Sequence, residues 1–211
     1  MKLYDFAFSP NCRKVRAVAY ELGVTFDHVP VNLVKGESHT EPFLAKNPNG
    51  RVPVLEDGDL VLWESNAIIG YLATAYPNGT ALVPSAPRDR AEVDRWIAWQ
   101  LAHIGPAISK VAFERIVKKL TGQGTPDQAL IDAGTADFAK LSAILDTALG
   151  NKEYVAGRLS IADFALASHY SVAATCGLDI TPHKRVNAWL GRVLARDSMK
   201  RALADAQAMM R

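Results

Sequence analysis

The sequence predicts two domains of different class, an α/β domain followed by an all-helical domain. Within residues 1–80, short segments with strand periodicity alternate with segments of helical periodicity, and beyond a break rich in Pro and Gly only helical periodicity remains. A length of 211 residues is compatible with one large domain or two small ones. The composition, 49% hydrophobic and 22% charged, is that of a soluble globular protein.

The first domain begins with a strand, predicted over Lys2–Phe8 from its alternating side chains. A helix follows and ends at Gly23, because apolar residues recur at helical spacing: Val15, Val18, Ala19 and Leu22. Phe26–Val31 is predicted as a second strand. Glu41–Lys46 is predicted as a short helix, which Pro48 ends because proline disfavours helical geometry in the residue before it.

A hairpin and a helix complete the first domain. The predicted strands Val52–Leu55 and Leu60–Trp63 flank Asp57-Gly58, a strong hairpin signal. Ser65 then begins a helix with one apolar stripe, formed by Ile68, Ile69, Leu72 and Tyr76. The resulting order, a βαβ unit, a helix, a β-hairpin and a helix, is the thioredoxin-like pattern. We therefore predict a thioredoxin-like domain over residues 1–80.

The second domain is predicted over residues 87–211. It follows a break from Pro77-Asn78-Gly79 to Pro87, which is suited to an interdomain linker. Helical periodicity marks four segments, near 88–121, 127–149, 160–175 and 187–207. Ser160-Ile161-Ala162-Asp163 resembles a capping box with Asp in place of Glu, which is a helix-start signal.

Composition and charge exclude several classes of function. No apolar run approaches the ~18 residues that span a membrane. The net charge of +2, with basic and acidic residues interleaved, gives no basic surface for nucleic acid. The two cysteines, Cys12 and Cys176, are too few for a disulfide scaffold or a Cys-based zinc site. We therefore expect no bound metal. We also expect a cytoplasmic protein, since the first residues lack the pattern of a secretion signal.

The segment Ser9-Pro10-Asn11-Cys12 joins the first strand to the first helix, where a thioredoxin-like fold places its redox motif. A helix N-terminus offers free N–H donors and a partial positive charge, which stabilise a thiolate. A hydroxyl at Ser9 cannot form a disulfide, but it can donate a hydrogen bond to a bound thiolate and so favour ionisation of a substrate's thiol. The alternative is that Ser9 serves only as the helix N-cap.

Glu64-Ser65 lies at the junction of the last strand and the following helix. There the carboxylate of Glu64 could hold an ammonium group, and the Ser65 hydroxyl with the helix N–H groups could hold a carboxylate. These two groups occur together at the γ-glutamyl end of glutathione. The alternative is an ordinary helix start.

Together these features resemble the glutathione transferase superfamily, over essentially the whole chain. Three motifs carry the resemblance, together with the helical region Gly157–Leu166: Ser9-Pro10-Asn11-Cys12-Arg13-Lys14-Val15, Asn47-Pro48-Asn49-Gly50-Arg51-Val52-Pro53-Val54-Leu55 and Trp63-Glu64-Ser65-Asn66-Ala67-Ile68. The resemblance implies the glutathione transferase fold, with glutathione as co-substrate. The order and spacing of the N-terminal motifs are specific to the superfamily and not to one member.

The resemblance assigns roles to five of these residues. It implies that Ser9 hydrogen-bonds the glutathione sulfur and that Val52 pairs through its backbone with the cysteinyl part of glutathione. It further implies that Pro53 follows a cis peptide bond. Glu64 and Ser65 would hold the γ-glutamyl end.

The glycyl end of glutathione is assigned by the same resemblance. Arg51 occupies the position where many members place Gln or Lys near the ligand. The loop 31–39 resembles the theta and phi classes, which place a His, or a His followed by Lys, against the glycyl carboxylate. The alignment leaves a choice between Ser38 and His39, and we predict His39.

The active-site motif also discriminates among classes. Beta and omega members carry Cys at the position of Ser9 and form mixed disulfides with glutathione, which this chain cannot do there. The Pro-Asn pair resembles a bacterial, nu-like group with glutathione-dependent disulfide reductase activity, in which case Asn11 contacts the sulfur. Cys12 is either a reactive thiol or a packing thiol, and we predict packing because free Cys is among the most buried residue types.

The electrophile site is expected in the helical domain. Trp96, Gln100, His103 and Ala107 fall on one helical face. In this family that helix faces the glutathione cleft, so Gln100 or His103 could touch the second substrate, the alternative being packing between helices or in a dimer.

The predicted function is conjugation of the glutathione thiolate to a small hydrophobic electrophile by a cytoplasmic homodimer that binds neither nucleic acid nor membrane. Two alternatives stay open. One is glutathione-dependent reduction of disulfides or peroxides. The other is a non-catalytic binding module that keeps the fold.

Overall fold

A computed structural model of the chain describes residues 1–76, 78 and 81–208, and side chains up to residue 205. The described residues form two compact units, one from Met1–Pro84 and Ala195–Arg211 and the other from Ser85–Leu194. The division after Pro84 is close to the boundary predicted near residue 80. The C-terminal segment, which the sequence placed in the helical domain, is grouped with the first unit.

The first unit contains a four-stranded mixed sheet in the order β2-β1-β3-β4, in which only β1 and β2 are parallel. Its strands are β1 Lys2–Asp5, β2 Asp27–Pro30, β3 Val54–Asp57 and β4 Leu60–Trp63. Its helices are α1 Pro10–Glu21, α2 Glu41–Leu44 and α3 Ser65–Ala75, to which α10 is added below. The predicted thioredoxin-like order is therefore confirmed.

β1 and β2 are shorter than the sequence predicts, and β3 is shifted by two residues. β1 ends at Asp5 instead of Phe8, β2 covers Asp27–Pro30 instead of Phe26–Val31, and β3 covers Val54–Asp57 instead of Val52–Leu55. The differences in β1 and β3 arise at one place, because the pairing of β1 with β3 ends at Tyr4 opposite Val54. The next residue of the partner strand, Pro53, has no N–H to extend the ladder. After Asp5 the chain therefore leaves the sheet and continues into α1.

The C-terminal helix, α10 Asp197–Ala208, packs against α1, which contains Arg16. Arg16 and Asp5 are both fully buried and form an ion pair between α1 and β1, in which Arg16 donates to the carboxylate of Asp5 at 2.5 and 2.6 Å. The same guanidinium donates to the carbonyls of Ala7 and Ala202. Burial alone would raise the pKa of Asp5, but the hydrogen bond from His28 and the charge and hydrogen bonds of Arg16 lower it. The hydrogen bond from Arg16 to the Ala202 carbonyl, together with the packing of α10 on α1, explains why α10 belongs to the first unit.

The second unit is helical. The predicted segment 88–121 is continuous helix, made of α4 Pro87–Trp99, α5 Gly105–Ala112 and α6 Lys118–Thr121 joined by the π-helical stretches Gln100–Ile104 and Phe113–Val117. The other helices of this unit are α7 Gln128–Leu149, α8 Ile161–Tyr170 and α9 Lys184–Leu194. The segment predicted near 187–207 is two helices, because α9 and α10 are separated at Ala195 and Arg196 and belong to different units.

Asp163 is the polar centre of the second unit. Its fully buried carboxylate accepts hydrogen bonds from the backbone N–H of Val155 and Ser160, from the Ser160 hydroxyl and from Nε1 of Trp189. The predicted capping interaction of Asp163 with Ser160 is therefore present, and the same carboxylate also joins α8 to α9. None of the described helices is long and apolar enough to cross a membrane.

Candidate active site

Ser9 is the N-cap of α1. Its backbone is extended, with φ −67° and ψ 121°, and its Oγ accepts a hydrogen bond from the Cys12 N–H at 3.3 Å. Pro10 follows at the first helical position, where a missing N–H costs nothing. A hydroxyl has two acceptor sites and one donor. Capping uses only an acceptor site, so the same hydroxyl can still donate to a thiolate, and the two interpretations of Ser9 are compatible.

Cys12 belongs to the core of the first unit. It is fully buried in a cluster with Val31, Phe43, Val52 and Val54. Its Sγ accepts a hydrogen bond from the Phe6 N–H at 3.5 Å. Burial, with the charge of Asp5, raises the pKa of the thiol, so that it stays protonated at neutral pH. This environment is that of a packing thiol, and it does not present Cys12 to a substrate.

The first turns of α1 and α3 are joined by a hydrogen bond between two predicted site residues. The Ser65 hydroxyl donates to Oδ1 of Asn11 at 3.2 Å. Ser65 is buried and Asn11 partly exposed. Because this bond occupies the Asn11 oxygen, it leaves the two N–H donors of that amide for other partners. The structure therefore brings together Asn11, the second residue of α1, and Ser65, the first residue of α3.

Glu64 has a strained backbone. With φ 70° and ψ 105°, it is the one residue other than glycine with positive φ among those described. Such a conformation is unfavourable for a residue with a Cβ and is found where the surrounding structure enforces it, often at ligand sites. The strain leaves the Glu64 side chain exposed beside the first turn of α3. Sequence periodicity gives no signal for this conformation.

His39, Arg51 and the Val52-Pro53 peptide meet around one tight turn. Gly50, with φ 61°, has no room for a side chain, since a Cβ there would lie 2.7 Å from Nδ1 and Cε1 of His39. The ring of His39, at the end of a 3₁₀ turn, thus lies against the turn that leads to Arg51. The peptide bond before Pro53 is cis, as the resemblance implies.

Buried Asn47 holds this turn from below, a role that the sequence did not reveal. Its Nδ2 donates to the Arg51 carbonyl at 2.6 Å, and its Oδ1 accepts from the N–H of Asn49 at 3.0 Å.

Ser38, the alternative to His39, is only 2% exposed. Burial of Ser38 and exposure of His39 favour His39 as the residue that can meet a ligand.

In the second unit, only one of the two predicted electrophile contacts is accessible. Gln100 is 2% exposed, and its Nε2 lies 3.4 Å from both ring nitrogens of His169. Gly105 leaves room for this amide, because a Cβ there would lie 2.9 Å from it. Gln100 is therefore a buried polar residue and is not available to a substrate. His103 is exposed and lines a cavity of about 290 Å³ with residues of α5 and α7.

Exposed apolar side chains, which the sequence analysis did not single out, occur in both units. Phe8, adjacent to Ser9, is 50% exposed. In the second unit, three exposed side chains follow one another at spacings of four and three: Phe113, Val117 and Leu120. Contiguous apolar surface is typical of binding sites, whereas single exposed apolar side chains are common on folded proteins. Across the described ranges, no cluster of His, Cys, Asp and Glu could hold a metal ion.

Comparison with known proteins shows the family. Residues 3–80 match the family model described as glutathione S-transferase, N-terminal domain. Over 97% of its length, the chain is 35% identical to glutathione S-transferase 3 of Zea mays, of which the match covers 93%. The chain therefore belongs to the glutathione S-transferase family.

Bacterial relatives are similar to the same extent. The chain is 31% identical to glutathione S-transferase GstB of Escherichia coli strain K12, over 92% of this chain and 93% of that protein. It is 32% identical to a theta-class glutathione S-transferase of Xanthomonas axonopodis pv. citri, whose crystal structure contains glutathione. The structural match covers 96% of each chain with a TM-score of 0.87. The predicted fold class, a thioredoxin-like domain plus a helical domain, is thereby confirmed.

Proposed function

We propose that this protein is a glutathione transferase that activates the glutathione thiol at Ser9 and transfers the thiolate to small hydrophobic electrophiles. The observation that carries the proposal is the hydrogen bond between Ser65 and Asn11, which unites the first turns of α1 and α3. Two helix N-termini at one place favour two anionic groups. Glutathione supplies these as its thiolate and its γ-glutamyl carboxylate.

The residues around the sulfur act as hydrogen-bond donors. Ser9 donates its O–H to the thiolate, and Asn11, whose oxygen is occupied by Ser65, directs an N–H to it. Each donor favours the charged form of the thiol and lowers its pKa. The buried thiol of Cys12 takes no part in this reaction.

The remaining parts of the tripeptide are held along the turn and the start of α3. Glu64 binds the α-ammonium group, and Ser65 with the α3 N–H groups binds the α-carboxylate. Val52 pairs through its backbone with the cysteinyl residue. His39 and Arg51 bind the glycyl carboxylate.

The electrophile binds to apolar surface. We assign this site to the second unit, to the exposed apolar residues of the α5–α6 region together with His103. Gln100 is omitted because of its burial. We further propose that the protein is a cytoplasmic homodimer that detoxifies such electrophiles. Light scattering after gel filtration tests the dimer.

The test of the function compares two reactions of the purified protein. We expect glutathione binding, with the ultraviolet absorbance of a bound thiolate, and faster turnover of an aryl halide than of a small disulfide. Faster reduction of the disulfide or of a peroxide would instead support the reductase alternative. Failure to bind glutathione would overturn the proposal and support a different ligand for this fold.

Replacing Gly50 by alanine is expected to weaken glutathione binding severalfold. The new methyl group would meet the His39 ring at 2.7 Å and displace it from the turn before Arg51. The positive φ of 61° adds backbone strain of about 1 kcal/mol. Calorimetric titration with glutathione measures the affinity, and urea unfolding measures the stability.

Gly58→Ala is the matched control for this change. Gly58 has nearly the same φ, 62°, but nothing lies within 4 Å of a Cβ at that position. Gly50→Ala should therefore lose at least as much stability as Gly58→Ala, whereas only Gly50→Ala should lose affinity. Equal affinities in the two variants would show that His39 does not bind the ligand.

A further inference from the structure

Lys14 is a buried lysine close to the proposed site. It lies in α1, five positions after Ser9, and its side chain is 1% exposed. Its Nζ donates to Oδ1 of Asn66 at 2.8 Å, and Asn66 directly follows Ser65 in the first turn of α3. Lysine is almost never fully buried unless a partner compensates for the lost hydration. The Lys14 side chain thus joins the two helices whose first turns form the site.

The electrostatic surroundings of Lys14 favour an anion nearby. The helix N-termini of α1 and α3 each carry a partial positive charge, to which the ammonium adds a third. The charged or titratable groups that act on Lys14 include the carboxylate of Glu64, at the start of α3, and the buried thiol of Cys12 on its own helix. Burial lowers the pKa of Lys14 to about 7, and Glu64 only partly opposes this effect. An additional anion at the two helix starts would stabilise the ammonium.

We propose that Lys14 is a positioning residue for glutathione, which holds the first turn of α3 through Asn66 and supplies positive charge that favours the bound thiolate and the γ-glutamyl carboxylate. Because Lys14 is buried, it acts through Asn66 and through its electric field, without touching the substrate. In a low-dielectric interior such a charge acts more strongly than it would in water. This role rests on the proposed function, since it requires a glutathione anion at the site.

The buried ammonium should destabilise the protein in a defined pH range. The pKa of lysine is about 10.4 in an unfolded chain and about 7 for Lys14 in the folded state, so folding releases a proton between these values. The loss of folding stability caused by burying the Lys14 ammonium is complete below about pH 7, and it declines as the pH rises toward 10. Lys14→Met should therefore have its largest gain in urea midpoint relative to wild type at pH 6, and a smaller gain at pH 9.

Lys152→Met, at an exposed position, provides the control with the same change in net charge. Its urea midpoint should differ from that of wild type by the same small amount at both pH values. The pH dependence of the difference, and not its size at one pH, is the result that tests the burial of a charge at Lys14. A Lys14→Met difference that is constant with pH would overturn the proposed charge.

The functional test measures the pKa of the thiol in bound glutathione, from the thiolate absorbance as a function of pH. We expect Lys14→Met to raise that pKa by about one unit, which is about tenfold less thiolate at a pH below it. Asn66→Ala removes the hydrogen bond and keeps the ammonium, so its shift should be smaller. An equal shift in both variants would overturn the electrostatic role of Lys14.

Two further outcomes separate this role from the proposed function. If wild type does not bind glutathione, both proposals fail. If wild type binds glutathione and ionises its thiol, and Lys14→Met does so with the same pKa and affinity, only the role of Lys14 fails.

If Lys14→Met does not fold, proton uptake provides the test. S-methylglutathione has no titratable thiol, and the variant His39→Gln removes the histidine of the glycyl end. Titrating this variant with S-methylglutathione at pH 7, in two buffers of different ionisation enthalpy, should show partial uptake of a proton as the ligand stabilises the Lys14 ammonium. Binding without proton uptake would overturn the proposal.

Discussion

Ser9→Ala is expected to lower kcat/KM for an aryl halide by about a hundredfold or more, the usual effect of removing one hydrogen-bond donor to a developing or bound anion. The Ser9 hydroxyl is the donor at the N-cap of α1, and its removal leaves the Asn11 amide as the second donor that we assign to the thiolate. The same change removes the N-cap bond to Cys12, which should lower the free energy of unfolding by about 1 kcal/mol.

The pH dependence of the rate distinguishes the two effects of this substitution. Loss of a donor to the thiolate raises the pKa of bound glutathione, so the rate of Ser9→Ala should increase toward higher pH and approach that of wild type once the thiol is ionised in both proteins. A loss of stability alone would lower the rate without shifting this profile.

Two variants control for the chemistry at the start of α1. Ser9→Thr retains a hydroxyl that can cap and donate, and should keep most of the activity. Cys12→Ala removes a buried thiol and should leave the pKa of bound glutathione unchanged. If Cys12→Ala abolishes activity in a folded protein and Ser9→Ala does not, the nucleophile chemistry belongs to Cys12 and the assignment of Ser9 is wrong.

Asp163→Ala is expected to lower the free energy of unfolding by about 3–5 kcal/mol, the loss typical of removing one member of a buried charged network. The substitution leaves the N–H groups of Val155, Ser160 and Trp189 without their acceptor in a site that water does not reach. Thermal or urea unfolding measures the loss, and the near-ultraviolet circular dichroism of Trp189 reports on the packing of α8 against α9.

Asp146→Ala is the matched control, because Asp146 also accepts backbone N–H groups at a helix start. Its Oδ1 accepts from Arg185 at 2.7 Å and from Val186 at 3.1 Å, and its side chain is 17% exposed. Water can replace the lost acceptor there, so the expected loss is about 1 kcal/mol. Equal losses in the two variants would mean that burial of the Asp163 network adds nothing to its capping interaction.

Most of the first unit could be predicted because its signals are local. Strand alternation, the Asp57-Gly58 turn and the helix-start residues Ser9 and Ser65 each depend on a few neighbouring side chains. The errors occurred where a distant partner decides the outcome. β1 ends early because Pro53, far away in sequence, cannot pair with it. The last predicted helix is two helices, since the second of them packs on α1 through Arg16.

The residues of the candidate site also differ in whether local sequence or a distant partner decides their environment. The residue types of Ser9, Asn11, Glu64 and Ser65 could be identified from motifs, since each lies at an element boundary that local sequence marks. The burial of Gln100 was not predictable, because helical spacing gives a face but not the element that covers it, and here His169 of α8 does so. Asn47 and Lys14 were not recognised, since their partners, Arg51 and Asn66, are met only in the folded chain.

By itself, the sequence determined that the chain is an α/β domain followed by helices, that few cysteines are present, and that a hydroxyl stands at the start of α1 where a thiolate is stabilised. Only the tertiary structure decided that Cys12 is buried and protonated, that Asn11 meets Ser65, and that buried Lys14 hydrogen-bonds Asn66. The physical reason is that periodicity and turn propensity act over a few residues. Burial and ion pairing, in contrast, depend on residues brought together from distant parts of the chain, and these set pKa values and access to the site.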